Sequence, residues 1–402
     1  SSLNYILKLL FIIGLGFGAD YFHTDFQSLP RHQGRLEPFN SPSTLRLVGI
    51  MAQFPIEDPD NSKTSGNGQF LASDVTEYIN FFESEIPRCE GFLVDRPPHD
   101  SFYFRQQLEA VGKYYKKISK GKLNYTIKII ENPDSTNGYY TVSHEMEYYA
   151  KGDALLAEFF SEALDSAKLD LDAYIEEKDI APDEVVFVVF HAGLGQDLGA
   201  PLFDPTVYDI HSAYIDLEML YNLCESGIDE DGLCDDVNAD GSFEIYDTAL
   251  EQSYTITNGI LMPETLNEIF FDVIEDLHPI TYVNDDDLKD IYCNYQLGMT
   301  GLFSYFLGYR LGFPVMHSTD NIDPVTRIGK FGLMDYGAYN GRGLIPAPPD
   351  VWSRSYKDLT QVQDITSDLF LNQETSFSIP TYAEGGDIYK VSAIEGEYFL
   401  ME

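Results

Sequence analysis

Hydrophobic residues recur in the first part of the chain in patterns that predict both strands and helices. Leu45–Phe54 (LRLVGIMAQF) predicts a β-strand that ends in the turn-rich stretch Glu57–Gly68. Residues 101–120 (SFYFRQQLEAVGKYYKKISK) carry apolar side chains at helical spacing and leave a polar face, so they predict a helix. Polar and apolar residues alternate over Leu123–Ile130, which is typical of a strand.

The same reading predicts three further elements. Asp153–Leu171 has the pattern of a helix, and the apolar run Val185–Phe190, with polar residues on both sides, predicts a central buried strand. Leu297–Gly312 predicts a strongly apolar helix. Strands and helices alternate without a visible repeat. We therefore expect an α/β architecture in which helices pack around one twisted, mixed sheet.

Composition and charge limit the classes of partner. The 402 residues contain 25 Lys+Arg and 66 Asp+Glu, which gives a formal net charge of −41. Nucleic acid and anionic membrane surfaces need a basic binding face, so the charge argues against both. At 44% hydrophobic residues the chain can still form a large core. Such an acidic surface suits a salty or calcium-rich medium, where cations screen the repulsion.

The N-terminal residues predict export. Lys8 precedes the apolar run Leu9–Phe17, and small residues follow, so residues 1–18 have the pattern of a signal peptide with cleavage after Gly18. The alternative is a buried N-terminal helix. The run is too short to span a bilayer comfortably, so no membrane span is expected after cleavage. Residues 19–44 are interpreted as a leader or linker. We expect the protein outside the cell or at its surface.

The four cysteines fit an exported protein. Cys224 and Cys234 flank a short acidic loop and could close it, which would leave Cys89 and Cys293 as a long-range pair. Three pairings are possible, and all remain open at this point. None of the spacings is that of a zinc or redox motif, so a structural role is expected.

Residues 236–247 (DVNADGSFEIYD) have the spacing of a calcium loop of the EF-hand type. Oxygen ligands stand at positions 1, 3 and 5, a glycine at position 6, an apolar residue at position 8 and a carboxylate at position 12. The alternative is a solvated acidic loop. The predicted structural Ca²⁺ ligands are Asp236, Asn238, Asp240, Ser242 through its carbonyl, Glu244 and Asp247.

Two other motifs resemble functional sites only in part. The glycines after His191 follow the spacing GxGxxxG rather than GxGxxG, and Pro201 interrupts the helix that a dinucleotide would need. His144-Glu145 begins like HExxH but ends in Tyr148, within a segment that is not predicted to be helical. We therefore expect neither a dinucleotide site nor a zinc site there.

Several segments together resemble the immune-inhibitor-A family of secreted zinc metallopeptidases. In that family a strand ending in PE precedes a helix with HExGHxLGLPD, then a GxMDxGxxNG turn and a Pro-rich stretch ending in Trp. The matching segments here are Asn258–Glu264, Gly301–Pro314, Phe331–Gly341 with Met334 in the turn, and Pro346–Trp352. Weaker matches are Tyr114–Leu123, Phe190–Gly193 and Tyr398–Leu400. The resemblance implies a zincin-like fold over residues 45–402, with residues 297–312 as the active-site helix.

The resemblance fails at the metal site. Aligning the glycines and the proline places the family's two zinc histidines at Tyr305 and Tyr309, its general-base glutamate at Phe306 and its acidic third ligand at Val315. Residues 297–315 contain no His, Asp or Glu. We expect these rings to fill the space of the metal, and we expect no bound Zn²⁺.

These observations favour a secreted, catalytically inactive pseudopeptidase with a binding or structural role toward a protein, peptide or glycan. The alternative is an active secreted zinc endopeptidase with a non-standard metal site. That site would need scattered residues to converge, such as His278, His317, Asp320 and Asp323. The calcium loop reads as an insertion at about 224–250. The end at Glu402, in what resembles the family's closing strand, suggests that further C-terminal domains follow.

Overall fold

A computed structural model describes the protein over residues 44–58, 63–73, 94–178, 184–197, 206–225, 243–247, 252–267, 297–317, 326–366, 378–381, 386–394 and 397–402. The predicted signal peptide and all of the predicted leader except Thr44 lie outside these residues.

Helices and strands alternate along much of the described chain. The described strands are β1 (Thr44–Gln53), β2 (Asn124–Ile130), β3 (Tyr140–Thr141), β4 (Val185–Leu194), β5 (Ala213–Ile215), β6 (Phe243–Asp247), β7 (Gln252–Ile256), β8 (Gly259–Thr265), β9 (Val362–Asp364), β10 (Ile388–Ile394) and β11 (Glu397–Met401). The described α-helices are α1 (Ser101–Ile118), α2 (Met146–Tyr149), α3 (Asp153–Ser166), α4 (Lys168–Lys178), α5 (Leu217–Glu225), α6 (Thr300–Arg310) and α7 (Val351–Tyr356).

The main sheet is mixed, with the strand order β2-β1-β4-β8-β5, and β3 also pairs with β1. β1, β2, β3, β4 and β8 run parallel, whereas β5 is antiparallel to β8. All ten residues of β4 are buried, as expected for a central strand covered on both faces. The two smaller sheets are β11-β10-β9 and the hairpin β6-β7.

Helices cover both faces of the main sheet. On one face the ring of Phe190 in β4 packs against Phe104 in α1 and Phe303 in α6. The next residue, His191, points to the opposite face because side chains alternate along a strand, and there it meets Phe159 in α3. The sheet therefore lies between α3 on one side and α1 and α6 on the other, in a mixed α/β architecture.

Most of the predicted elements are present. The strands at Leu45–Phe54, Leu123–Ile130 and Val185–Phe190 correspond to β1, β2 and β4, although β4 continues to Leu194. The helices at 101–120 and Leu297–Gly312 correspond to α1 and α6.

Two local predictions were wrong. The helix Asp153–Leu171 is interrupted after Ser166, and α4 begins at Lys168. The segment after His144 contains the single helical turn α2, although we expected no helix. Glu147 on that turn pairs with Lys63, which is distant in the sequence, and a local sequence pattern cannot reveal such a contact.

In the described part of the chain, no helix is both long and apolar enough to cross a lipid bilayer.

Candidate functional site

Helix α6 carries Tyr305, Phe306 and Tyr309, and its position depends on close backbone contacts. Every residue from Gly301 to Arg310 is buried. The Gly301 amide donates to the Gly343 carbonyl oxygen at 2.7 Å. A Cβ atom at Gly301 would lie 1.8 Å from the Ala338 carbonyl oxygen, so only glycine lets the start of α6 approach the 336–343 segment this closely.

Three of the aromatic residues on α6, Tyr305, Phe306 and Tyr309, fill interior space. Tyr305 and Phe306 are 0% exposed and Tyr309 is 8% exposed. The Tyr305 hydroxyl oxygen lies 3.2 Å from the Tyr309 hydroxyl oxygen and 2.9 Å from Nε2 of His317. The Phe306 ring stands perpendicular to the Tyr305 ring, with centroids 5.7 Å apart. We refer to Tyr305, Tyr309 and His317 as the Tyr305 cluster.

Val315 and Met334 lie close to this cluster in the fold. Val315 is partly buried against the core, two residues before His317. Met334 is 0% exposed, and its carbonyl oxygen accepts the Met316 amide at 2.8 Å. A Cβ atom at Gly308 would lie 2.6 Å from the Met334 sulfur, so the missing side chain lets Met334 pack directly against α6.

The two phenols are neutral near pH 7, as tyrosines ordinarily are, and burial disfavours their ionisation further. Burial raises the pKa of Tyr305 well above the ordinary value and raises the pKa of Tyr309 as well. The contacts of the Tyr305 hydroxyl with the Tyr309 hydroxyl and with Nε2 of His317 are therefore hydrogen bonds between neutral phenols and an imidazole. Neutral phenols are poor ligands for Zn²⁺ and cannot act as a general base.

A second buried polar group lies where the parallel strands β4 and β8 end, and we call it the Glu264 network. Glu264 is 0% exposed. One carboxylate oxygen accepts the Leu71 amide at 2.7 Å and faces Nδ1 of His99 at 2.6 Å. The other accepts the Gly193 amide at 2.9 Å. One carboxylate thus connects the segment after β1, the end of β4 and the segment before α1.

His99 is doubly protonated in this network. Its Nε2 faces the Asp95 carbonyl oxygen at 2.7 Å, and a carbonyl oxygen can only accept a hydrogen bond. Because Nδ1 faces the Glu264 carboxylate, both ring nitrogens must donate. Burial alone lowers the pKa of His99, but the hydrogen bond and charge of Glu264 outweigh it and the pKa is raised. The result is a fully buried imidazolium–carboxylate pair.

Asp95 connects the Glu264 network to the start of α6. Burial raises the pKa of its side chain to about 6, although the charge of His99 and the hydrogen bond from Gln107 act in the opposite direction. The Met299 amide, just before α6, also donates to this carboxylate. Asp95 has a left-handed backbone with φ 51°, which is uncommon outside glycine.

Two further buried titratable side chains lie at the end of β4 and just beyond it. Asp197 accepts the Ser212 amide at 3.0 Å and the Ser212 hydroxyl at 2.8 Å, yet burial raises its pKa to about 7. Burial lowers the pKa of His191 to about 4, so this imidazole is neutral at pH 7. His191 lies between Phe54 and Phe159, which fits an interior residue at the end of a strand.

Sequence reasoning missed the Glu264 network. Glu264 stood out only as part of a motif, and Asp95 and His99 carried no signal of their own. A usable signal was the carboxylate at the end of the apolar strand Gly259–Thr265, because a buried charge needs a partner. It would not have identified His99, which lies 165 positions away.

Most residues of the calcium and disulfide predictions lie outside the described part of the chain. These are Asp236, Asn238, Asp240, Ser242, Cys89, Cys234 and Cys293. Glu244 and Asp247 belong to β6, which pairs with β7 in a hairpin. Cys224 is in α5. Both predictions remain predictions.

Within the described ranges, no group of three or more His, Cys, Asp or Glu residues is placed to hold a metal ion. No protein-family model matches the chain, and no curated protein or solved structure matches it either.

Proposed function

We propose that the chain is a secreted, catalytically inactive protein with a zincin-like metallopeptidase fold and a binding or structural role. The observation that carries this proposal is the Tyr305 cluster together with Phe306. The positions where the resemblance implies two imidazoles and a carboxylate hold the buried rings of Tyr305, Tyr309 and Phe306, and the Tyr305 hydroxyl forms hydrogen bonds with Tyr309 and His317. Such a site cannot lower the pKa of a metal-bound water or accept its proton.

The order of elements supports the fold part of the proposal. Strand β8 ends in Pro263-Glu264-Thr265. The resemblance implies an active-site helix next along the chain, and α6 occupies that place among the described elements. It also implies a methionine turn beneath that helix, and Met334 packs against Gly308 of α6. We interpret Met334 as the counterpart of the methionine in that turn.

We assign the proposed binding role to the edge of the main sheet where its parallel strands end. Ligands of open α/β sheets bind beyond the carboxyl ends of the parallel strands. The Glu264 network fixes the segments at that edge of the sheet, next to the start of α6. We propose that a protein, peptide or glycan binds there, and that a calcium ion in the 236–247 loop stabilises the exported protein.

The direct test measures zinc and cleavage together. We expect the purified secreted chain to contain no stoichiometric zinc and to leave casein intact, with or without a chelator. The matched comparison is a variant with Tyr305→His, Phe306→Glu, Tyr309→His and Val315→Asp. Stoichiometric zinc in the natural chain, with cleavage that a chelator stops, would instead identify an active peptidase with a non-standard metal site.

A further inference from the structure

We propose that Asn124 carries an asparagine-linked glycan. Asn124-Tyr125-Thr126 is the one Asn-x-Ser/Thr sequence in the 402 residues, and this sequence is the acceptor motif for such glycans in exported proteins. We refer to these three residues as the sequon. The inference rests on the proposed secretion, because only an exported chain meets the transferring enzyme. It goes beyond the proposed function, because it assigns a covalent modification and not a ligand.

The two residues that the transfer requires are exposed on one side of strand β2. Asn124 is the first residue of β2 and Thr126 is the third, and both are exposed. Side chains alternate along a strand, so Tyr125 points to the other side, where its ring packs against α1. A Cβ atom at Gly112 of α1 would lie 2.5 Å from that ring. A sugar on Asn124 therefore extends away from α1 and does not displace the packed ring.

The turn just before the sequon is surrounded by open space. α1 ends at Ile118, and the chain reaches β2 through Gly121, whose φ of 84° lies in the left-handed region that favours glycine. Among the described residues, no atom lies within 4 Å of the position that a Cβ atom at Gly121 would take. Gly121 and Lys122 are both exposed. A bulky group on Asn124 therefore meets solvent on the side of this turn.

The glycan would lie at an edge of the main sheet. Among the described strands, β2 pairs only with β1 and is the outermost strand in the order β2-β1-β4-β8-β5. An edge strand presents unpaired N–H and C=O groups to which a strand of another chain can add, and proteins block such edges with charged side chains or by covering them. Lys128 is exposed on the same side of β2 as Asn124 and Thr126. A glycan at the start of β2 adds bulk to this charge and hinders the approach of a second strand.

The transfer is a substitution at the first sugar of a donor oligosaccharide, which is attached to a lipid diphosphate. The side-chain nitrogen of Asn124 forms a bond to C1 of that sugar as the C1–O bond to the diphosphate breaks. The amide loses one proton, the lipid diphosphate leaves, and no oxidant or reductant takes part. Because the side chains of Asn124 and Thr126 are exposed in the folded chain, the product is compatible with the pairing of Asn124 with Thr44 in β1.

The test uses the full chain, expressed in eukaryotic cells and collected from their medium. The protein is run on a denaturing gel before and after treatment with an enzyme that cleaves asparagine-linked glycans at the side-chain nitrogen. We expect the treatment to lower the apparent mass in a single step that corresponds to one glycan per chain. The same treatment converts a glycosylated asparagine to aspartate, so peptide mass spectrometry should find aspartate at position 124 in the treated protein.

Two variants assign the glycan to the sequon. Asn124→Gln removes the acceptor, whereas Thr126→Val keeps Asn124 and replaces only the hydroxyl, with a β-branched side chain that suits a strand. Both should migrate like the enzyme-treated natural chain. Asn137→Gln is the matched control: Asn137 is also exposed but is followed by Gly138-Tyr139, so this variant should keep the full glycan shift. Circular dichroism shows whether each variant is folded, and Thr126→Val decides the question if Asn124→Gln is not.

Two results on a secreted chain would overturn this inference and leave the proposed function in place. One is a natural chain that shows no shift and has unmodified asparagine at position 124. The other is a shift that persists in Asn124→Gln and Thr126→Val alike, which would place the glycan elsewhere. A chain that stays inside the cells would contradict the proposed secretion, and the glycan would fail with it. Zinc content and casein cleavage test the proposed loss of peptidase activity independently of all three results.

Discussion

Replacing Glu264 with glutamine should destabilise the protein strongly, because the buried carboxylate is the shared partner of three donors. It accepts hydrogen bonds from the Leu71 and Gly193 amides and from the His99 imidazolium. Glutamine has nearly the same shape but carries one acceptor oxygen and one donor nitrogen. Whichever way the amide is turned, its NH₂ group faces at least one N–H group.

The size of the loss follows from these contacts. The amide removes the negative charge beside the His99 imidazolium. Because His99 is 0% exposed, water cannot solvate the imidazolium instead of the carboxylate. Removing one partner of a buried ion pair typically costs about 3–5 kcal/mol, and we expect Glu264→Gln to lower the free energy of unfolding by about that amount. When His99 loses its proton in the variant, part of the lost free energy of unfolding is recovered. We therefore expect a loss near the lower end of this range.

Urea unfolding followed by circular dichroism measures the effect. Glu109→Gln is the matched control: Glu109 pairs with Lys113 on the surface of α1, and its replacement should leave the unfolding midpoint unchanged. The double variant His99→Gln with Glu264→Gln should lose less than the sum of the two single losses, since no unpaired charge remains.

The pH dependence of the loss supplies a second check. The raised pKa of His99 stabilises the folded state below the ordinary histidine pKa of about 6.5, and this contribution disappears as the pH rises through the folded value. The difference between the natural chain and Glu264→Gln should thus be larger at about pH 6 than at about pH 9. If Glu264→Gln unfolds at the same urea concentration as Glu109→Gln, the buried ion pair as described is incorrect.

Three further outcomes are expected. Gly301→Ala should lower the free energy of unfolding by more than the roughly 1–3 kcal/mol typical of overpacking, because its Cβ meets the Ala338 backbone. Gly308→Ala should lower it less, because its Cβ meets the flexible side chain of Met334. Thermal unfolding of the two variants tests this order. Burial raises the pKa of Asp197 to about 7, so the natural chain should lose stability as the pH rises from about 4 to about 7. Asp197→Asn lacks this loss, so its melting temperature relative to the natural chain should rise over that range; equal slopes in a pH series would contradict the shift. Removing calcium with a chelator should lower the melting temperature without changing any peptidase activity, and Asp240→Asn should abolish the response to calcium.

Local sequence pattern was sufficient for three strands of the main sheet, β1, β2 and β4, and for the helices α1 and α6 that cover one of its faces, but not for β3 and β5. An unbroken apolar run such as Val185–Phe190 has few alternatives to a central strand, and β4 is one. The break between α3 and α4 was not predictable in this way, because the apolar spacing continues through Ala167 to Leu171 and both residues are buried. Periodicity records which residues are buried and does not record where the backbone turns.

The polar part of the site depends on contacts between distant segments. His99 and Glu264 are 165 positions apart, and Tyr305 meets His317 only because the chain reverses after α6. A lone histidine or glutamate gives no sign in the sequence of which distant atom it contacts. The sequence did draw attention to His317, but as a scattered candidate ligand and not as the hydrogen-bond partner of Tyr305.

The packing around α6 also indicates that introducing the metallopeptidase residues which the proposed resemblance implies should not produce peptidase activity. Phe306 is 0% exposed, with its ring perpendicular to that of Tyr305, so Phe306→Glu would place a carboxyl group in an apolar site. Burial without a charged partner raises the pKa of a carboxyl group by up to several units and keeps it protonated near pH 7. A protonated carboxyl group cannot accept the proton of a metal-bound water, even if histidines at 305 and 309 recover an ion. We therefore expect the quadruple variant to bind metal without gaining peptidase activity. Casein cleavage at the level of a natural peptidase would show that the site is far more open than these contacts indicate.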